Sequence, residues 1–102
     1  MSPRNVTRSN IAQAVDSALS RCRTEMERAN REPANPALLR DLRSGLRSLE
    51  LIHAELHGGP QRPKGQRSAI FTRYVIDEEP QMAMAPELRD LIVEIEDVYS
   101  RY

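Results

Sequence analysis

The pentapeptide HAELH, residues 53–57, places two imidazole side chains four residues apart, a spacing at which one face of a helix presents both to a metal ion. Zinc peptidase helices carry their general-base glutamate directly after the first histidine, but Ala54 has that place here. The sequence therefore lacks the catalytic zinc motif. A simpler metal site at His53 and His57 would need at least a third ligand, for which Glu50 and Cys22 are the available candidates.

A structural role is the favoured interpretation of the two histidines. On a helical wheel His53 falls between Leu42 and Leu46, which predicts a hydrogen-bonded residue in a helix seam. His57 falls in the last turn, where a cation interacts well with the helix C-terminus. A pH-sensitive contact is the remaining alternative. We therefore expect no cofactor, and retain His53 and His57 only as candidate metal ligands.

Other catalytic patterns do not emerge from the sequence. Cys22 lies at the centre of an apolar stripe, where burial disfavours a nucleophilic thiolate. Gly58-Gly59 ends a predicted helix instead of beginning one, which is the wrong polarity for phosphate binding by helix-terminal amides. We find no glycine-rich phosphate loop, so enzymatic activity is not predicted, and a metal-dependent activity at His53 and His57 is kept only as a second alternative function.

Length and composition predict one small domain, residues 1–102. Apolar residues make up 39% of the chain but form no run long enough for a membrane span, and no secretory signal is recognised. The single cysteine is consistent with a reducing compartment. We therefore expect a cytoplasmic protein that does not contact membranes.

Two amphipathic helices are predicted in the first part of the chain. The first lies between Ser9 and Arg31, with Ser9 as its cap. The second begins at Asn35-Pro36, because asparagine caps well and proline suits the first helical position. It carries a leucine stripe and ends at Gly58-Gly59-Pro60. The short connection between the helices predicts an antiparallel hairpin over residues 1–57.

The remainder of the chain divides into three segments. Residues 58–67 are rich in glycine, proline and basic side chains, and we predict a flexible, exposed connector. Residues 68–85 form an extended arm in this interpretation, because 69–76 are rich in β-branched and aromatic residues. Residues 86–102 have the clearest amphipathic pattern and form a C-terminal helix. The predicted fold is all-α, with the arm between hairpin and last helix.

Charge is distributed unevenly along the chain. Residues 1–67 carry twelve basic against seven acidic side chains, and residues 68–102 carry three against eight, so the two parts stand at +5 and −5. This pattern leaves a nucleic-acid accessory protein as an alternative function, although zero net charge argues against it. The residues that would contact phosphates lie on the second helix and in the connector: Arg40, Arg43, Arg47, Arg62, Lys64 and Arg67.

The favoured function is non-catalytic protein binding, as an adaptor, accessory subunit or inhibitor. An unpaired strand needs a partner for its backbone, which favours a homodimer formed through the arm and the C-terminal helix. Aromatic and arginine side chains are typical interface anchors. The predicted contact residues are Phe71, Arg73, Tyr74, Val93 and Tyr99. Imitation of a nucleic-acid phosphate array by the acidic end stays open as a further possibility.

Overall fold

The computed structural model describes residues 7–31, 35–59, 61–63, 65, 67, 70–78 and 81–102. Within these ranges the chain forms four α-helices and no strand: α1 (Arg8–Ala29), α2 (Pro36–Leu56), α3 (Ile70–Glu78) and α4 (Pro86–Arg101). The predicted all-α class is confirmed. In the described part of the chain, no helix is both long enough and apolar enough to cross a membrane.

Helix ends follow from local chemistry. The Asn35 side chain accepts from the Leu38 amide at 3.1 Å and Pro36 occupies the first turn, as predicted. After Leu56 the chain leaves the helix through Gly58, whose φ of 96° lies in the left-handed region. The cap of α1 was wrongly predicted, because Thr7 and not Ser9 accepts from the Asn10 amide, at 3.1 Å.

The core lies between α1, α2 and α4. Contacts between α1 and α2 run in opposite chain directions, since Asp16 lies opposite His53 and Arg23 lies opposite Glu50. α4 packs against all three other helices of the same chain. The fully buried side chains include Ile11, Val15, Leu42, Leu49, Ile92 and Ile95. Burial of these apolar surfaces provides the main driving force for the fold.

The segment predicted as extended is instead helical, and this part of the sequence interpretation is wrong. Residues 70–78 form α3, with Phe71 and Val75 buried one turn apart on the same side. β-Propensity reflects the fit of a side chain to a half-buried surface, so a helical face that buries the same side chains overrides it. Residues 68 and 69 lie outside the described residues. With α3 folded onto its own chain, the argument for an unpaired strand no longer applies.

Basic side chains of the predicted exposed connector also pack onto the helices. The Arg62 guanidinium lies 2.7 Å from the Glu55 carboxylate. Arg67 donates to the backbone oxygen of Tyr99 at 3.0 Å and lies over the Tyr99 ring, 4.6 Å from its centroid. Lys64 lies outside the described residues. At Arg62 and Arg67, therefore, the chain is tied to α2 and α4.

Candidate functional site

Three buried carboxylates hold α3 and its flanking segments in place, and we call Asp41, Glu55 and Glu96 the buried carboxylates. Their exposed fractions are 0%, 4% and 3%. Burying a charged group is costly unless hydrogen bonds or opposite charges replace water. Each of these three therefore marks a position where the chain must supply several donors.

Glu96 of α4 receives the N-terminus of α3. Its carboxylate accepts from the amides of Phe71 at 2.8 Å and Thr72 at 2.7 Å, and from the Thr72 hydroxyl at 2.7 Å. The Ser48 hydroxyl of α2 donates to the same group. A helix N-terminus leaves its first amides without internal partners and carries a partial positive charge. Glu96 thus caps α3 from a different helix.

Asp41 of α2 binds the segment that follows α3. It accepts from the amides of Ala83 at 2.6 Å and Met84 at 3.1 Å, and from the Tyr74 hydroxyl at 2.5 Å. Burial, followed by the neighbouring Asp41 carboxylate, raises the pKa of Tyr74, so the phenol stays protonated and donates. Arg40 also donates to the Tyr74 oxygen, at 3.0 Å.

Glu55 of α2 binds the start of the segment that leads to α3. The Arg62 amide donates to its carboxylate at 2.8 Å, and the Arg62 side chain adds a charged contact at 2.7 Å. Burial opposes ionisation of Glu55, but the hydrogen bonds and charge of Arg62 outweigh this effect and lower its pKa. Burial, followed by the nearby Glu55 charge, raises the pKa of Tyr99. Both ends of the α3 region are therefore fixed.

The buried carboxylates were missed in the sequence, although a signal was present. Positions 41, 45, 48, 52 and 55 recur at three- and four-residue steps beside the leucine stripe. Four of these five residues are small or polar, and a polar residue on a core-facing ladder must find a partner there. That pattern predicts buried polar contacts, but it does not identify the partners.

The predicted protein-contact residues fall into separate environments. Phe71 and Tyr99 are 0% and 2% exposed and belong to the core, so this fold does not present them at its surface. Tyr74 is half-buried and bonded to Asp41. Arg73 is exposed, and Val93 is half-buried at the surface of α4. The structure therefore leaves Arg73 and Val93 available from the predicted set.

A different residue dominates the outer side of α3. Ile76 is 74% exposed, more than any other large apolar side chain among the described residues. Thr72, one turn earlier on the same helix, lines a groove of about 840 Å³ with Val93 of α4. The groove has an acidic rim formed by Asp90, Glu94 and Asp97. We refer to Arg73, Ile76, Val93 and this rim as the α3–α4 surface.

The arginines of the nucleic-acid alternative do not form one free surface. Arg40, Arg62 and Arg67 are each engaged within the chain, by Tyr74, Glu55 and the Tyr99 backbone respectively. Arg43 and Arg47 are exposed and form no ion pair with any residue that the structure describes. A phosphate-binding surface on this part of the chain would therefore rest mainly on two arginines.

The histidine pair lies at the surface between α1 and α2. The His53 side chain is 43% exposed, and its Nε2 atom lies 3.6 Å from Asp16 Oδ1. His53 therefore lies at the seam between the two helices, with Asp16 of α1 as its neighbour and with a large part of its side chain open to solvent. The His53 and His57 ring centroids are 4.2 Å apart. One possible donor atom from each of Asp16, His53 and His57 lies within 4.8 Å of the others, so among the described residues these three form a group of candidate metal ligands.

Cys22 is not part of any of these arrangements. Its side chain is fully buried, and burial raises the pKa of the thiol to about 11. A thiolate is the reactive form of cysteine, so this position is unsuited to nucleophilic chemistry. Its place in the apolar seam of α1 agrees with the structural interpretation of the sequence.

Comparisons with protein-family models, with curated proteins and with solved structures found no match to this chain.

Proposed function

We propose that this protein is a non-catalytic protein-binding module, an adaptor, accessory subunit or inhibitor, that engages its partner through the α3–α4 surface. The observation that carries the proposal is the 74% exposure of Ile76 on a helix whose other face is held in the core. A scattered exposed apolar residue is common, but this one follows Thr72 by one helical turn, and Thr72 lines a groove that also contains the apolar side chain of Val93.

The charges around the surface favour one kind of partner. Asp90, Glu94 and Asp97 line the groove, and Asp77 is exposed on α3 next to Ile76. Arg101 pairs with Asp97 at 2.8 Å and offsets part of this charge. An apolar side chain flanked by lysine or arginine, as on a basic amphipathic helix, would complement such a surface.

A homodimer is the less favourable form of this proposal. A two-fold symmetric contact places the same patch on both sides, so the acidic rims would face each other. Carboxylates brought face to face in this way repel each other and oppose association unless other contacts outweigh the repulsion. The size of the particle in solution, measured by light scattering over a range of concentrations, distinguishes the two forms.

The experiment compares three proteins in quantitative affinity purification from the source cell: the wild type, Ile76→Ser and Leu51→Ser. Leu51 is the matched control, because it is a large apolar residue at the surface of α2, 36% exposed, and lies outside the α3–α4 surface. We expect Ile76→Ser to reduce recovery of a specific partner by about tenfold or more, the usual effect of losing an interface anchor. Leu51→Ser should leave recovery unchanged.

The same partner must then bind in purified form. Its affinity for the wild-type chain should fall with added salt and with Asp90→Asn, because the proposal assigns part of the recognition to charge. Circular dichroism of Ile76→Ser should match the wild type, since a largely exposed side chain contributes little to stability. Equal recovery with all three proteins would refute the assignment of this surface.

The nucleic-acid alternative has weaker support. It would require Arg43 and Arg47 to supply most of the phosphate contacts, and few contacts of this kind give only a shallow salt dependence. Binding to a nucleic acid that weakens about tenfold or more between low and physiological salt, and that is lost in Arg43→Ala/Arg47→Ala, would favour the alternative over the protein-binding proposal.

A further inference from the structure

Three side chains of types that can ligate metals meet where the end of α2 passes the middle of α1. His53 and His57 are one helical turn apart near the C-terminus of α2, and Asp16 belongs to α1. Exposed fractions are 43% for the His53 side chain and 61% for that of Asp16, and His57 is also exposed. Their rotamers can therefore adjust without disturbing the core.

The spacing is close to that of a bound ion. A tetrahedral site with metal–ligand distances of about 2.0–2.2 Å holds its donor atoms roughly 3.3–3.6 Å apart. His53 Nε2 and Asp16 Oδ1 are already 3.6 Å apart, and all three donor atoms lie within 4.8 Å of one another. Changes in the side-chain torsion angles that move the donor atoms by about 1 Å are enough to complete this geometry.

A structural explanation accounts for only part of the arrangement. Asp16 can pair with His53 when the imidazole is protonated, and a cation near the end of α2 interacts favourably with the helix dipole. Two imidazolium cations one turn apart would repel each other, however, and the two rings are in contact, with centroids 4.2 Å apart. In the described part of the chain, the His57 ring nitrogens form no hydrogen bond with the protein.

We propose that Asp16, His53 and His57 bind one divalent transition-metal ion that links α1 to α2. Two imidazoles and one carboxylate suit Zn²⁺, Co²⁺, Ni²⁺ or Cu²⁺, whereas Mg²⁺ and Ca²⁺ prefer sites built from oxygen ligands alone. Three protein ligands leave a coordination position for water or another small ligand. A groove of about 630 Å³ lined by Asp16, His53 and Glu50 gives that position access to solvent.

The test is titration of the full chain, first stripped with a chelator and dialysed, with zinc chloride in a calorimeter. We expect one Zn²⁺ per chain. His53→Ala and His57→Ala should each weaken binding by about tenfold or more, and Asp16→Asn should do the same because it removes the ligand that α1 contributes. Glu27→Gln is the matched control, since Glu27 is a carboxylate of the same groove outside the cluster, and it should bind as the wild type does.

Co²⁺ provides a second readout, because its visible absorption distinguishes four-coordinate from six-coordinate ions. The wild-type chain should give the intense spectrum of a four-coordinate site, and Asp16→Asn should lose it. The proposal would be overturned if no stoichiometric binding is found, or if binding survives the loss of both histidines. It would also be overturned if Asp16→Asn leaves the affinity unchanged, because the two histidines would then chelate the metal at the surface of α2 without a ligand from α1. Circular dichroism of each variant excludes unfolding as the cause.

Discussion

Replacing Glu96 with glutamine is expected to loosen α3 while preserving the shape of the core. One Glu96 oxygen accepts from the Phe71 amide and the Ser48 hydroxyl, and the other accepts from the Thr72 amide and hydroxyl. A glutamine has one acceptor oxygen and one NH₂ group. The hydroxyls can turn and accept from that NH₂ group, but a backbone amide cannot.

The expected loss of stability follows from the number of donors that Glu96 accepts from. In either orientation of the glutamine, one amide of the first turn of α3 faces another donor, and an unsatisfied buried amide costs about 1–3 kcal/mol. The remaining hydrogen bonds lose their charge assistance, which adds roughly 1 kcal/mol. We therefore expect a loss of about 2–4 kcal/mol in the free energy of unfolding, or about 10–25 °C in Tm for a domain of this size.

The assay combines urea unfolding, followed by circular dichroism, with hydrogen exchange of the native protein. Exchange of the Phe71 and Thr72 amides should accelerate more than exchange of amides in α1. Asp97→Asn is the matched control, because Asp97 lies next to Glu96 in α4 but is 65% exposed and, among the described residues, its side chain pairs only with Arg101. Its removal should therefore matter little. A loss below about 0.5 kcal/mol in Glu96→Gln, or unchanged protection of α3, would refute the capping role.

Two further predictions concern titratable groups. Because the pKa of Glu55 is lowered in the folded chain, its contribution to stability is present above the ordinary value of 4.5 and is lost as the pH falls through the folded value. Urea unfolding between pH 7 and pH 3 should therefore show a smaller acid-induced loss in Glu55→Gln than in the wild type, and parallel pH profiles would contradict this. Cys22, with its pKa raised to about 11, should react slowly with a thiol reagent at pH 8 and much faster after denaturation. A native rate equal to the denatured rate would show that the thiol is not protected by the fold.

Helix boundaries were predictable wherever a short stretch of sequence decides them. Asn35 and Pro36 start α2 through a side-chain cap and a fixed backbone angle, and Gly58 ends it by accepting a positive φ. Each of these effects operates within a few residues. The same reasoning places Pro86 at the start of α4.

The helical conformation of residues 70–78 could not be predicted from the sequence of that segment, because side chains far away in the sequence stabilise it. Glu96 lies 25 residues after Phe71, and Asp41 lies 42 residues before Ala83. Without those carboxylates, the β-branched and aromatic composition favours an extended chain. The predicted contact residues depend on the same segment, and in the helix Phe71 is buried in the core.

For the candidate sites too, features within one helix were predictable from the sequence, whereas contacts between helices were not. The spacing of His53 and His57 is visible in the sequence, but Asp16 is brought to them only by the packing of α1 against α2. The surface neighbours of Ile76 depend on the period of the backbone. In a strand Ile76 would share a face with Thr72 and Tyr74, whereas in the helix it lies beside Thr72 and Arg73.

The capping of α3 by Glu96 links the conformation of the exposed Ile76 to the folding of the rest of the chain. A nine-residue helix is too short to persist in water by itself, and here its first amides depend on a side chain supplied by the last helix of the chain. Ile76 is therefore displayed in its helical setting only after α4 has docked. If the proposed protein-binding function is correct, a truncated or half-assembled chain would not present the α3–α4 surface, and binding through that surface would require a completely folded chain.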